Sequence, residues 1–126
     1  MRAIVDTQIF LWMATAPEKL SRKARAACQD AELLLSVASV WEIGIKYQIG
    51  KLQLPAPPGE FLDRQIRLAN IGILPIHYRH ALRAAALDGD HKDPFDRMIA
   101  AQSLEEKLDC ISADVVFAAF GVRRIW

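Results

Sequence analysis

Asp6, Glu42, Asp96 and Asp114 are four acids with a shared position in the chain's pattern, each just beyond a strand-like run or at the start of a helix-like one. Asp6 closes Ala3-Ile4-Val5 and precedes the helix-like Thr7 to Ala14. Glu42 opens the helix that follows Leu33-Leu34-Leu35-Ser36. Asp96 opens the one after the His91-to-Pro94 loop, and Asp114 follows Cys110-Ile111-Ser112. Open α/β sheets hold their ligands beyond the carboxyl ends of the strands, so acids placed this way converge on one rim. Two carboxylates ~4 Å apart repel by about 4 kcal/mol at an effective dielectric near 20. A hard divalent cation, Mg²⁺ or Mn²⁺, relieves that repulsion and keeps open positions for water and phosphate oxygens. The chemistry this points to is metal-assisted phosphodiester hydrolysis.

Each acid also has a structural reading. Asp6 could be a helix N-cap, and Ser39-Val40-Trp41-Glu42 matches a capping box. Glu42 stands four residues before Lys46, a favourable exposed helix pair. Asp93 reads as an N-cap with Pro94 as the first helical residue, which puts Asp96 in the first turn. Asp114 could complement the dipole of a helix capped by Ser112. Singly, such acids are more often structural; four together make an unneutralised cluster that a purely structural role does not explain. Other chemistries lack their residues. There is no Gly-x-Ser-x-Gly, the six glycines are scattered, and His77, His80 and His91 lack the usual zinc spacing.

The elements that must position these acids follow from periodicity. Strands are expected at 2–5, 32–36, 73–76, 109–112 and 122–125. Helices are expected at 7–14, 21–31, 38–50, 60–70, 78–87, 94–107 and 113–119. The alternation predicts an α/β fold, a mainly parallel five-stranded sheet flanked by helices and forming one domain over residues 1–126. Leu54-Pro55-Ala56-Pro57-Pro58-Gly59 marks the largest loop. Thr7 to Ala14, apolar almost all round, is expected to be buried or covered by a partner.

Bulk properties narrow the class. At 126 residues, 52% hydrophobic and 25% charged, the chain is globular, and a net charge of +1 gives no general polyanion-binding surface. Cys28 and Cys110 show no CxxC spacing and read as small core residues of a reducing compartment. Asp6 interrupts the only candidate signal-peptide core, and no apolar run approaches the ~20 residues that span a bilayer. The expectation is a cytoplasmic protein without a membrane segment.

From end to end the residues resemble the PIN-domain ribonucleases, in particular the VapC-type toxins of bacterial toxin–antitoxin pairs. The matching stretches are Ile4-Val5-Asp6-Thr7, Ser39-Val40-Trp41-Glu42-Ile43, His91 through Gln102 with its Asp-Pro-Phe-Asp-Arg core, Ile111-Ser112-Ala113-Asp114, and Phe117 through Val122. The resemblance implies a PIN-like, Rossmann-like fold in which Asp6, Glu42, Asp96 and Asp114 are the catalytic and metal-binding acids. Asp93, Ser112 and Thr7 are their accessory neighbours. It implies a Mg²⁺- or Mn²⁺-dependent endoribonuclease acting on single-stranded or structured RNA, with tRNA or rRNA as typical targets. A homodimer neutralised by a VapB-like antitoxin is implied as well.

Arg97 and Lys46, with Lys51 and Lys92, are the cations placed to meet an RNA backbone, although each also reads as a solvated surface charge. Trp12, Trp41 and Trp126 read as core or interface residues rather than base-stackers, with Trp41 able to line a partner groove. Three other readings remain. A receiver-like phospho-acceptor domain would need an adjacent acid pair after the first strand, and Asp6 is followed by Thr7. A catalytically silent PIN scaffold would bind RNA or protein without cleaving. A DNA-directed nuclease would share the chemistry.

Overall fold

Ala3-Ile4-Val5 and Leu33-Leu34-Leu35 carry no polar side chain on either face, which suits strands covered by helices on both sides. In the computed structural model, which describes residues 1–126, they form the centre of a five-stranded sheet. The strands are β1 (Arg2–Val5), β2 (Glu32–Ser36), β3 (Gly72–Leu74), β4 (Asp109–Ile111) and β5 (Arg124–Ile125). Their order is β3-β2-β1-β4-β5, and all four pairings are parallel.

The helices are α1 (Thr7–Thr15), α2 (Arg22–Asp30), α3 (Val37–Gln48), α4 (Pro58–Leu68), α5 (Tyr78–Ala86), α6 (Pro94–Glu106) and α7 (Val116–Ala119), with a 3₁₀ turn at Pro17–Lys19. Strand side chains alternate between faces, and the core divides accordingly. Ala3, Val5, Leu33, Leu35 and Ile111 meet Ile9 and Phe10 of α1, Ala24 of α2, Ile43 of α3 and Phe61 of α4. Ile4, Leu34 and Cys110 turn the other way, onto Ile99 and Ala100 of α6 and Phe117 of α7. Phe10 and Phe61 pack edge to face with centroids 6.2 Å apart. One side of α1 is thus buried in the chain's own core, while Gln8 is exposed and Trp12 lies half-buried against Trp126. No helix is long and apolar enough to cross a membrane.

Several boundaries differ from the periodicity reading. The helix after β2 is capped by Ser36, whose side chain accepts from the Ala38 N–H, so Ser39 lies inside the helix and Ser39-to-Glu42 is not a capping box. Glu42 therefore sits in the second turn rather than at the opening. Pro58 and Gly59 belong to α4, because proline at the first helical position loses no intrahelical hydrogen bond. The helix expected at 113–119 is shortened to Val116–Ala119, and the last strand to Arg124–Ile125.

Candidate active site

Parallel strands end at one edge, and that edge carries the acids. Asp6 follows β1 directly, Glu42 rides on α3 after β2, Asp114 lies three residues past β4, and Asp93 and Asp96 open α6. All five line one groove of about 500 Å³, together with Thr7, Lys46 and Lys51. The sequence assigned four of these acids to a common rim, and the chain brings all four together.

Asp6 is the innermost. It caps α1, accepting from the Ile9 N–H at 2.8 Å, and its second oxygen accepts from the Ser112 hydroxyl. Burial pushes its carboxyl up from 3.8 to about 6; the bonds from Ser112 and Ile9 oppose that shift, and the charges of Asp96 and Asp114 add to it. Capping and site roles are therefore combined in one residue. Ser112 does not line the groove. It stands behind, donating to Asp6 while accepting from the Asp114 N–H at 3.0 Å, and so couples two of the acid-bearing segments. Asp114 itself is exposed and accepts from the Val116 N–H, at the start of the last short helix.

Glu42 is buried, only 5% exposed, and pairs with the Lys46 ammonium at 2.5 Å. The expected exposed helix pair is thus anchored inside the groove on its acidic side. Lys46 is held above its ordinary value by the hydrogen bond to Glu42, with the charges of Asp93 and Asp96 adding to it. Thr7 donates to the Ser39 hydroxyl at 2.9 Å, both buried, and so ties the start of α1 to the helix that carries Glu42. Thr7→Val is expected to lower stability by about 1–2 kcal/mol, because Ser39 then loses its buried partner; denaturant unfolding checks this.

Asp93 caps α6 as its spacing predicted, accepting from the Phe95 and Asp96 N–H groups at 2.9 and 3.3 Å, with Pro94 in the first turn. Burial raises the Asp96 carboxyl; a hydrogen bond from His91 opposes that, and the Asp93 charge adds to it. His91 lies 2.9 Å from Asp96, a contact missed by reading histidines only for zinc spacing. Cys110, fully buried behind the acids, has its thiol pushed up by burial and by Asp6 and Asp96, in keeping with a core residue.

Arg97 departs from its expected role as an RNA-facing cation. Its guanidinium donates to the carbonyls of Ala84, Leu87 and His91 and lies over the Phe120 ring. The guanidinium is consumed by the end of α5 and the loop before α6 and does not line the groove. Lys92 is exposed and also outside the groove, which leaves Lys46 and Lys51 as its cations. Trp41 is no core residue: it is 63% exposed, with its ring edge-to-face against Phe95 at 5.5 Å.

The donors fit a hard cation. They are carboxylates, and burial of Asp6 and Asp96 penalises their charged forms, a penalty that a bound divalent ion would relieve. Lys46 offsets only part of this charge.

Residues 3–122 match the model of the PIN domain family. The chain belongs to that family. Ribonuclease VapC16 of Mycobacterium tuberculosis is 35% identical over 66 residues, 51% of this chain and 47% of that protein. The PIN domain described here therefore spans about half the length of that curated relative. Among solved structures, VapBC2 from Rickettsia felis, bound to a DNA fragment from its promoter, superposes with a TM-score of 0.71 at 15% identity, covering 100% of both chains. FitAcB from Neisseria gonorrhoeae gives a TM-score of 0.65 at 21% identity, covering 98% of this chain and 96% of that one. These likenesses show that the PIN domain has the fold of those proteins.

Proposed function

We propose that this PIN domain is a Mg²⁺- or Mn²⁺-dependent endoribonuclease, the VapC-like toxin of a toxin–antitoxin pair. The observation that carries the reading is the groove itself, in which Asp6, Glu42, Asp96 and Asp114 share one wall system and burial penalises the charge of Asp6. The partial match to a VapC ribonuclease and the fold shared with VapBC2 and with a toxin–antitoxin complex from Klebsiella pneumoniae support it. The four acids would hold the ion, with Asp93 beside them. When bound, it supplies an activated water and stabilises the leaving oxygen of the phosphodiester.

The chain's own residues do the positioning. Ile9 N–H and the Ser112 hydroxyl fix both oxygens of Asp6, so its orientation is set before any ligand arrives. Thr7 and Ser39 hold the Asp6 and Glu42 segments in register. Lys51 and Lys46 provide cations for the flanking RNA phosphates. A VapB-like antitoxin covering this groove, a homodimeric state and a cytoplasmic location complete the reading.

The test is cleavage of a pool of labelled cellular RNAs by purified, antitoxin-free protein, with Mg²⁺, with Mn²⁺ and with EDTA. Discrete metal-dependent products are expected. Asp6→Asn and Asp96→Asn are each expected to lower the rate at least about 100-fold, since even groups supporting a ligand are worth 10–100-fold. No cleavage by folded protein with either ion would turn the assignment to a silent RNA- or protein-binding scaffold.

A further inference from the structure

The loop entering α6 brings an imidazole nitrogen to the edge of a groove whose candidate metal ligands are otherwise carboxylate oxygens. His91 Nε2 lies 2.9 Å from Asp96 Oδ2, and His91, Asp93 and Asp96 offer donor atoms that all fall within 4.8 Å of one another. Ligands about 2.1 Å from an ion stand about 3.0 Å apart when adjacent in an octahedron, about 3.4 Å in a tetrahedron and about 4.2 Å when opposed. The 2.9 Å between His91 and Asp96 equals an adjacent-ligand separation, and the 4.8 Å limit on the group leaves room for the others. A contact that merely closed the loop would need one carboxylate; here the capping carboxylate of Asp93 stands beside the pair. Asp93 uses Oδ1 for the Phe95 and Asp96 N–H groups, which leaves Oδ2 available. Asp96 uses Oδ2 for His91 and keeps Oδ1.

The imidazole is also held from behind. Arg97 donates to the His91 carbonyl at 3.0 Å, and the His91 ring meets Phe120 edge to face at 6.0 Å. Arg97 in turn lies over that same Phe120 ring, 5.6 Å from its centroid. A ligand whose backbone and ring are both fixed needs little ordering when an ion arrives.

We propose that His91, Asp93 and Asp96 form a site for a zinc-class divalent ion, sharing Asp93 and Asp96 with the acidic groove. One imidazole with two carboxylates suits a borderline transition ion, whereas Mg²⁺ takes oxygen ligands and gains little from nitrogen. His91 therefore separates the ions this chain holds, binding Zn²⁺ well ahead of Mg²⁺. The inference rests on reading the groove acids as cation ligands, and it does not depend on RNA cleavage.

The experiment is calorimetric titration of the full chain with Zn²⁺ alone and with Mg²⁺ alone, for the parent protein and for His91→Asn. His91→Asn is expected to weaken Zn²⁺ at least about tenfold and to change Mg²⁺ by less than about twofold. An unchanged Zn²⁺ affinity overturns the site. Should His91→Asn fold poorly, the imidazole ¹⁵N resonances of the parent protein decide: one equivalent of Zn²⁺ must shift the Nε2 signal of His91, and a shift confined to His77 or His80 refutes the proposal. A chain that binds Zn²⁺ through His91 yet cleaves no RNA keeps this site and discards the nuclease. A chain that cleaves with Mg²⁺ while His91→Asn leaves Zn²⁺ affinity unchanged does the reverse.

Discussion

Near neutral pH and without divalent ions, Asp6→Asn is expected to melt at a higher temperature than the parent chain. The carboxyl of Asp6 is raised from 3.8 to about 6, chiefly by burial. A shift of that size corresponds to about 3 kcal/mol held against the fold when the group is ionised, at 1.36 kcal/mol per unit. Asparagine still caps α1 through Ile9, because Asn and Asp are comparable N-caps, but its bond with Ser112 is weaker than that of a carboxylate. A net gain of about 1–2 kcal/mol remains after that loss.

The sign follows from proton linkage. Between about 4 and about 6 the folded chain holds a proton that the unfolded chain has released, so parent stability falls as pH rises through that window and levels above it. Asp6→Asn removes this part of the pH dependence. Mg²⁺ should raise the melting temperature of the parent more than that of the variant. Thermal melts across that pH range, with and without Mg²⁺, check the prediction. A variant less stable than the parent throughout would assign Asp6 to helix capping alone.

Arg97→Ala is expected to be the most damaging single change outside the hydrophobic core. Its guanidinium serves three carbonyls from Ala84, Leu87 and His91 and covers Phe120. Truncation removes three charge-assisted hydrogen bonds in a half-buried setting, a loss of about 3 kcal/mol. Arg97→Lys should recover less than half of this, because an ammonium cannot present the planar fork. Denaturant unfolding of both variants gives the values. A lysine variant as stable as the parent would show that charge, not fork geometry, holds the loop.

What could be read before folding depended on the range of the interaction. Asp93-Pro94 announces a helix start because a cap and a first-turn proline act within a few residues, and Asp6 announces one for the same reason. The order of the acids and the parallel sheet follow from the alternation of short apolar runs. Ser36 and Ser39 are chemically equivalent candidates for capping the next helix, however, and the choice between them is made where β2 stops pairing with its neighbours. Arg97 looks like a free cation in sequence; the carbonyls it serves lie six to 13 residues upstream, at the end of α5 and in the loop after it, whose shape no local rule gives. His91 was hidden for a related reason: it reaches Asp96 only because Asp93 and Pro94 turn the chain between them. Trp41 reads from sequence as core or interface, and its exposure decides between the two only once the fold shows what is left to cover it.

The Ser112 hydroxyl that steadies Asp6 sits 106 residues away along the chain. β4 pairs with β1, so Asp109, Cys110 and Ile111 complete the centre of a sheet begun at Arg2. During synthesis this is a built-in delay. A nascent chain that stops short of Asp109 has its first acid and its first three strands, but lacks both the neighbouring strand beside that acid and the hydroxyl that aims it. Long-range parallel pairing is also the slow part of assembling such a sheet. A growing chain thus stays without its groove until β4 and Ser112 have been made.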